Sequence, residues 1–428
     1  MKQSCSRMAA AVAVVLTMAM APEIAAARQD LVITPFKATG IYGRGERVGW
    51  TLTRPAAMPG TVRFTYTIRR NNADPIKSGA LTFVDRITTL ETSLDEPGMI
   101  YVQINSSEPA SKPIALGAAV DPTALQPAVP RPADFDTFWD GKLRELAKVA
   151  IDPQLIPTEA AVPGIELYTV TLASLGSNAH GYLAKPTREG KFPALVIYQY
   201  AGIYALQPRT ATDRAAEGWL TLNVSSHDMP PDQATGAPPN YSAVGNTSRE
   251  TSYFLNMYLR DARAIDYIAS RPDWDGKTLV IMGTSMGGQQ SLVTAALRPQ
   301  VTAVIVNEPA GADSNGDLHG RKAGYPNWPS VDPRVMETAL YFDTVNFAPR
   351  IKAPTLVAIG FIDTITPPVG ILIAFNQLKG PKELIPMIES DHNNRTPDKQ
   401  GDWEKRWREV LATLVTGGRL TPVPRVMP

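Results

Sequence analysis

Gly283-Thr284-Ser285-Met286-Gly287 is the segment whose residue types and spacing best suit covalent chemistry. A serine with a glycine two positions to either side fits a very sharp strand-to-helix turn, because a Cβ at either glycine would meet the backbone folding past it. The context agrees: the apolar run Leu279-Val280-Ile281-Met282 enters the motif, and a helix starting near Gly288 leaves it. Such a turn lifts the Ser285 hydroxyl above a sheet. It also aims the backbone N–H of Met286 at the point where negative charge develops when a carbonyl is attacked. A hydroxyl is a poor nucleophile without a general base, and the chain has four histidines: His180, His227, His319 and His392.

Base and nucleophile must both stand at the carboxyl ends of strands. His392 follows directly on the strand expected over 384–389, whereas His319 lies in a polar, glycine-rich loop, so His392 is the expected base. The chain order nucleophile, acid, histidine then places the acid between Ser285 and His392. Asp363 follows the strand expected over 355–361 and would orient the imidazole and stabilise its protonated form. Asp391 adjoins the base but is expected to point elsewhere, and Asp313 and Asp317 follow an earlier strand. A second oxyanion donor should come from the loop Gln199-Tyr200-Ala201-Gly202, with Ala201 N–H expected and Tyr200 N–H the alternative. His227, beside Asp228, lines the pocket or serves as a loop hydrogen-bond feature. Tyr325, Trp328 and Trp274 stack on a sugar face or simply pack. Asp313, Asn315 and Asp317 hint at the start of a calcium loop, but the glycine at position six and the distal glutamate are missing. No metal and no cofactor are expected.

The elements that must position these residues alternate along the chain. Candidate strands cover 165–173, 181–184, 194–200, 220–225, 278–282, 303–307, 355–361 and 384–389, several of them near-continuous apolar runs suited to burial on both faces. The clearest helices cover 249–270, ending before Pro272, and 403–415, ending at Gly417-Gly418. The expected class is α/β: an α/β-hydrolase fold with a mostly parallel eight-stranded sheet and helices on both faces, spanning 134–428. It opens on an amphipathic helix carrying Phe135, Phe138, Trp139, Leu143 and Leu146. Residues 28–112 alternate in period two between turn clusters and predict a small, Ig-like all-β sandwich. Residues 113–133, with Pro113, Pro122, Pro127, Pro130 and Pro132, predict a stiff link without regular ladders.

The first 27 residues read as a signal peptide: Lys2 and Arg7, then the apolar run from Met8 to Met20, then Ala25-Ala26-Ala27. The run is short for a membrane span, so the expected location is periplasmic or extracellular, without stable membrane insertion. The single cysteine, Cys5, lies inside this segment, which removes thiol nucleophiles, disulfides and cysteine metal sites from the mature chain. A hydrophobic fraction of 44% suits a large core, and a net charge of +1 over 428 residues offers no footprint for nucleic acid.

Three segments resemble the acetyl xylan esterases and cephalosporin-C deacetylases of carbohydrate esterase family seven. They are Pro132-Ala133-Asp134-Phe135-Asp136-Thr137-Phe138-Trp139, Arg260-Asp261-Ala262-Arg263-Ala264-Ile265-Asp266-Tyr267-Ile268, and Gly360-Phe361-Ile362-Asp363-Thr364-Ile365-Thr366-Pro367-Pro368 with Phe375-Asn376 beyond it. The resemblance covers about 130–415 and implies deacetylation of acetylated saccharides, with Ser285, Asp363 and His392 in the triad positions. Met286 stands where the family usually has Gln. Gln199-Tyr200-Ala201 replaces its His-Gly-Tyr loop, and Ser225-Ser226-His227-Asp228 replaces its Arg-Gly-Gln-Gly segment. An exported serine peptidase on the same fold would carry a large propeller, for which about eighty β-rich residues are too few. An inactive carbohydrate-binding scaffold sits poorly with a complete Ser–Asp–His order.

Overall fold

In the computed structural model, residues 31–109, 111–393 and 395–423 are described. The expected signal peptide lies outside them. Eight strands come first: β1 (Val32–Pro35), β2 (Ile41–Tyr42), β3 (Val48–Thr53), β4 (Phe64–Arg70), β5 (Pro75–Ala80), β6 (Ile87–Thr92), β7 (Gly98–Ser106) and β8 (Ile114–Val120). They form a three-stranded sheet, β1-β3-β6, and a five-stranded sheet, β2-β8-β7-β4-β5. Trp50, Leu52, Phe64, Ile68, Ile100 and Val102 fill a shared core. Strand β8 corrects the expectation of a ladder-free link over 113–133, since it pairs antiparallel with β7 from Val120 opposite Gly98 to Ile114 opposite Ile104. Pro113 and Pro122 flank the strand without interrupting it, so the missing proline N–H costs no ladder bond.

The second part begins with α1 (Phe135–Ala147) and continues through β9 (Gln154–Thr158), β10 (Ile165–Ser174), β11 (Ser177–Pro186), β12 (Phe192–Tyr198), α2 (Pro208–Ala216), β13 (Leu220–Val224) and α3 (Tyr253–Ser270). Then follow β14 (Trp274–Thr284), α4 (Met286–Leu297), β15 (Ala303–Asn307), α5 (Pro333–Ala339), α6 (Thr344–Phe347), β16 (Thr355–Gly360), α7 (Pro368–Gln377), β17 (Lys382–Met387) and α8 (Pro397–Val415). The sheet has nine strands, in the order β17-β16-β15-β14-β12-β13-β11-β10-β9. From β17 to β13 neighbouring strands run parallel, and β11, β10 and β9 add antiparallel pairs at the far edge. The ninth strand, β9, was not expected: Gln154-Leu155-Ile156-Pro157-Thr158 is an edge strand, half exposed and carrying a proline, so it needs no apolar alternation. Helix α3 starts four residues later than expected, after turns at 248–252, and α8 starts earlier, with Pro397 in its first turn.

The near-continuous apolar strands follow from burial on both faces. Along β12, Ala194 and Val196 join the core beneath α1, α3, α4 and α7, while Leu195 joins the opposite core with Trp403, Leu411 and Leu414 of α8. This two-sided packing fixes the strand ends, from which the residues of interest project. Trp139 of α1 is fully buried and donates its Nε1–H to Tyr341 O at 2.9 Å, anchoring the entry helix.

The outer face of the five-stranded sheet continues into this core. Ile41, Met99 and Ala119 pack with the hydrolase residues, although Tyr42, Ile100, Ala118 and Val120 beside them belong to the sandwich core. Asn376 Nδ2 of α7 donates to Pro122 O at 2.9 Å and Leu125 O at 3.1 Å. Gly117 of β8 lies on the backbone of Phe361, where an added Cβ would be 2.6 Å from the Phe361 carbonyl oxygen. Because Phe361 precedes Asp363 by two residues, Gly117→Val is expected to lower kcat at least about tenfold through displacement of that loop. Gly60→Ala, at a position with open space, leaves kcat unchanged. Equal kcat for the two variants would show that the sandwich does not set the loop.

Candidate active site

Ser285 stands between β14 and α4 with φ 56 and ψ −123, a strained conformation for a residue with a side chain. A Cβ on Gly283 would overlap the carbonyl group of Gly287, and one on Gly287 would overlap the carbonyl oxygen of Tyr198. The surroundings hold the turn from both sides. Ser285 N–H donates to Asn307 O at 3.0 Å, and Ser285 O accepts from Gln289 N and Ala310 N, each at 3.0 Å. Met286 opens α4, so its N–H is one of the first-turn donors without an acceptor inside the helix, at the positive end of the helix dipole.

Asp363 and His392 extend from the ends of β16 and β17 toward this turn. His392 Nδ1 is 2.7 Å from Asp363 Oδ2, and His392 Nε2 is 2.9 Å from Ser285 Oγ. A carboxylate only accepts, so the Nδ1–H donates to Asp363 and Nε2 is left to accept from the serine hydroxyl. Asp363 is 1% exposed and held by its own loop: Oδ1 accepts from Ile365 N at 2.8 Å and Thr366 N at 2.9 Å, and Thr366 Oγ lies 2.7 Å from Oδ2. The arrangement can draw a proton from Ser285 and return it to a leaving group.

Ala201 lies in the bend just past β12. Tyr198 pairs with Gly283 in the parallel ladder, so the chain beyond β12 rises alongside Ser285. Two segments in which this chain differs from the family pattern hold each other here. Gln199 Oε1 accepts from Ser226 N at 2.9 Å, Ser226 Oγ donates to Gln290 Oε1 at 3.0 Å, and Gln290 Nε2 donates to Gln199 O at 2.8 Å. Arg260, buried in α3, donates to Ser226 O at 2.7 Å.

Of the expected pocket residues, His227 is fully buried, with Nδ1 2.8 Å from Tyr253 Oη and Nε2 3.1 Å from Gly202 O. Both ring nitrogens are thus engaged, Nε2 with the Ala201 loop and Nδ1 with the start of α3, and the ring is buried. Burial lowers its pKa, which favours the neutral ring that this pairing needs. Trp328 is 6% exposed and packs on Phe254 with ring centroids 5.4 Å apart, so of the two alternatives it is a packed core residue and not a sugar-stacking one. Tyr325 is half-buried, its hydroxyl 2.5 Å from that of Tyr241 and 3.2 Å from Sδ of Met286, the residue after Ser285. Tyr200 has an exposed ring stacked on Tyr204. Asp313 is engaged by Arg321 at 2.5 Å and by Ala128 N–H at 2.9 Å.

Sequence reasoning missed Tyr241, Tyr253, Gln199, Gln290, Thr366 and Glu308. Tyr241, Tyr253, Gln199 and Gln290 carry no local signal, because their roles depend on which loops meet, whereas Thr366 lies three residues past Asp363 in the acid loop itself. Glu308 had one: it follows the strand 303–307 immediately, the same kind of position that singled out Asp363 and His392.

The profile of the acetyl xylan esterase (AXE1) family matches residues 123–313 and 326–409. Acetyl esterase Axe7A of Xylanibacter ruminicola is 30% identical over 396 residues, covering 87% of this chain and 89% of its own. An acetyl xylan esterase structure from Paenibacillus sp. R4 matches with a TM-score of 0.60 at 25% identity, covering 67% of this chain and 98% of that one. Acetyl xylan esterase 1 from Thermoanaerobacterium sp. JW/SL YS485 shares the fold, with a TM-score of 0.60 at 23% identity over 68% of this chain and 97% of its own. The chain is an esterase of the α/β-hydrolase fold and belongs to the acetyl xylan esterase (AXE1) family.

Proposed function

We propose that this esterase removes O-acetyl groups from acetylated saccharides, xylan fragments among them, through an acyl-enzyme on Ser285. The reading rests above all on the unbroken hydrogen-bonded series Ser285 Oγ, His392 Nε2, His392 Nδ1, Asp363 Oδ2. Ser285 Oγ attacks the acetyl carbonyl carbon as its proton passes to His392 Nε2. The oxyanion is held by the N–H groups of Met286 and Ala201, or Tyr200 in place of Ala201. Collapse breaks the C–O bond to the sugar, which leaves as an alcohol carrying the proton from His392. Water then attacks the acetyl-serine with His392 again as base, releasing acetate and restoring the hydroxyl.

The acetyl group and the saccharide are supported by the family and by the acetyl esterase relative. A panel of acetyl, propionyl and feruloyl esters, with acetylated xylo-oligosaccharides, tests the reading. Acetate release from the oligosaccharides is expected, with acetyl esters turned over fastest. No acetate from the oligosaccharides, or a preference for feruloyl esters, would refute it.

Export is part of the same proposal, motivated by the charged, apolar and small-residue order of residues 1–27. N-terminal sequencing of the protein from a secreting host should begin near residue 28, and a mature chain still starting at Met1 would rule export by this route out.

A further inference from the structure

The loop after β15 places a second carboxyl beside His392 that the reaction above does not use. Glu308 is 0% exposed and has φ 45, a backbone conformation kept only under constraint. Its main chain reaches the acid loop, since Thr366 Oγ donates to Glu308 O at 3.2 Å. Its side chain reaches the other arm: Oε1 accepts from Ser390 Oγ at 3.3 Å and from Gln400 Nε2 at 3.4 Å. Gly360 makes room for it, because a Cβ there would be 2.6 Å from Oε1. The other oxygen, Oε2, makes no hydrogen bond among the described residues. It lies 4.0 Å from His392 Nδ1 and 3.8 Å from Arg395 Nη2. A buried carboxyl oxygen without a hydrogen bond is costly unless positive charge stands or develops beside it.

We propose that Glu308 is a second acid of this site, a positioning residue that ties the His392 segment to α8 and, when ionised, places a further negative charge beside the imidazolium formed during turnover. The inference rests on the triad reading above. The groups facing Glu308 are Asp363 from the loop after β16, and His392 and Arg395 from the segment after β17, while α8 presents the neutral Gln400. Burial first, and then the Asp363 charge, raise its pKa to about 7. The side chain is therefore neutral in mild acid and charged in mild alkali. As it ionises it sets a negative charge beside the imidazolium that forms in the transition state and stabilises it, which raises the rate.

The test is kcat/KM on an aryl acetate from pH 5.5 to 9 for the wild type, Glu308→Gln, Glu308→Asp and Asp363→Asn. Glu308→Gln keeps the shape and an acceptor but never ionises. It is expected to match the wild type at the acidic end and to fall about tenfold behind above pH 8. Glu308→Asp keeps the charge and should retain the alkaline limb even if the amide variant does not accumulate. A Glu308→Gln profile parallel to the wild type at every pH, or a Glu308→Asp profile lacking the limb, overturns the proposal. Asp363→Asn separates the two readings. If it keeps the wild-type rate, the triad itself is wrong; if it collapses while Glu308→Gln tracks the wild type, only the role of Glu308 is lost.

Discussion

Ser285→Ala is expected to lower kcat on acetylated xylo-oligosaccharides by about 10⁵- to 10⁶-fold, leaving the fold intact and binding of the intact ester measurable. The size follows from the chemistry. Without Oγ no acyl-enzyme forms, and only the oxyanion donors and binding energy remain to assist direct attack by water. The fold should survive because alanine asks no more of the strained turn than serine does. The turn is held by Ser285 N–H to Asn307 O and by Gln289 N–H and Ala310 N–H to Ser285 O, none of which involves the hydroxyl. Acetate release, far-ultraviolet circular dichroism and labelling by a fluorophosphonate probe check this together. Turnover within tenfold of the wild type, or probe labelling at another residue, would place the nucleophile elsewhere.

The second large effect is expected at Asp363→Asn, about 10⁴-fold in kcat with little change in KM. Asp363 Oδ1 accepts two backbone N–H groups from its own loop, so an asparagine would keep its carbonyl oxygen there and turn its NH₂ toward His392. A donor facing Nδ1 favours the tautomer with the proton on Nε2, where it can no longer accept from the Ser285 hydroxyl at 2.9 Å. The backbone geometry is unchanged, so the loss should lie in kcat. A fall below tenfold, or one confined to KM, would assign the orienting role to another carboxylate, with Glu308 the first to examine.

The strongest local constraints were readable without coordinates. Gly283 and Gly287 reveal the turn because neither leaves room for a side chain: a Cβ on Gly283 would meet the Gly287 carbonyl four residues on, and one on Gly287 would meet Tyr198 O of the neighbouring strand. Asp363 and His392 follow from chain order and from the rule that site residues sit at strand ends. The alternating part of the fold was legible for the same reason, since each strand buried on both faces is a short apolar run bounded by turn signals. Weak local signals failed where expected: β9 at an exposed edge needs no apolar pattern, and β8 hid between prolines that flank a strand without entering it.

Tertiary structure decided what depends on which faces meet. Histidine and tryptophan suit a pocket as well as a core, and only packing shows that His227 is spent on Tyr253 and Gly202 and that Trp328 lies against Phe254. It also places Gly117 of the small sheet against Phe361, and Glu308 between the loops that carry Asp363 and His392. The sequence by itself determined the candidate triad residues and the order in which they come, because those are set by sterics at a turn and by the direction of parallel strands. Only the tertiary structure decided what holds them in place, because the hydrogen bonds that residues 390 and 400 donate to residue 308 depend on packing that local sequence does not encode.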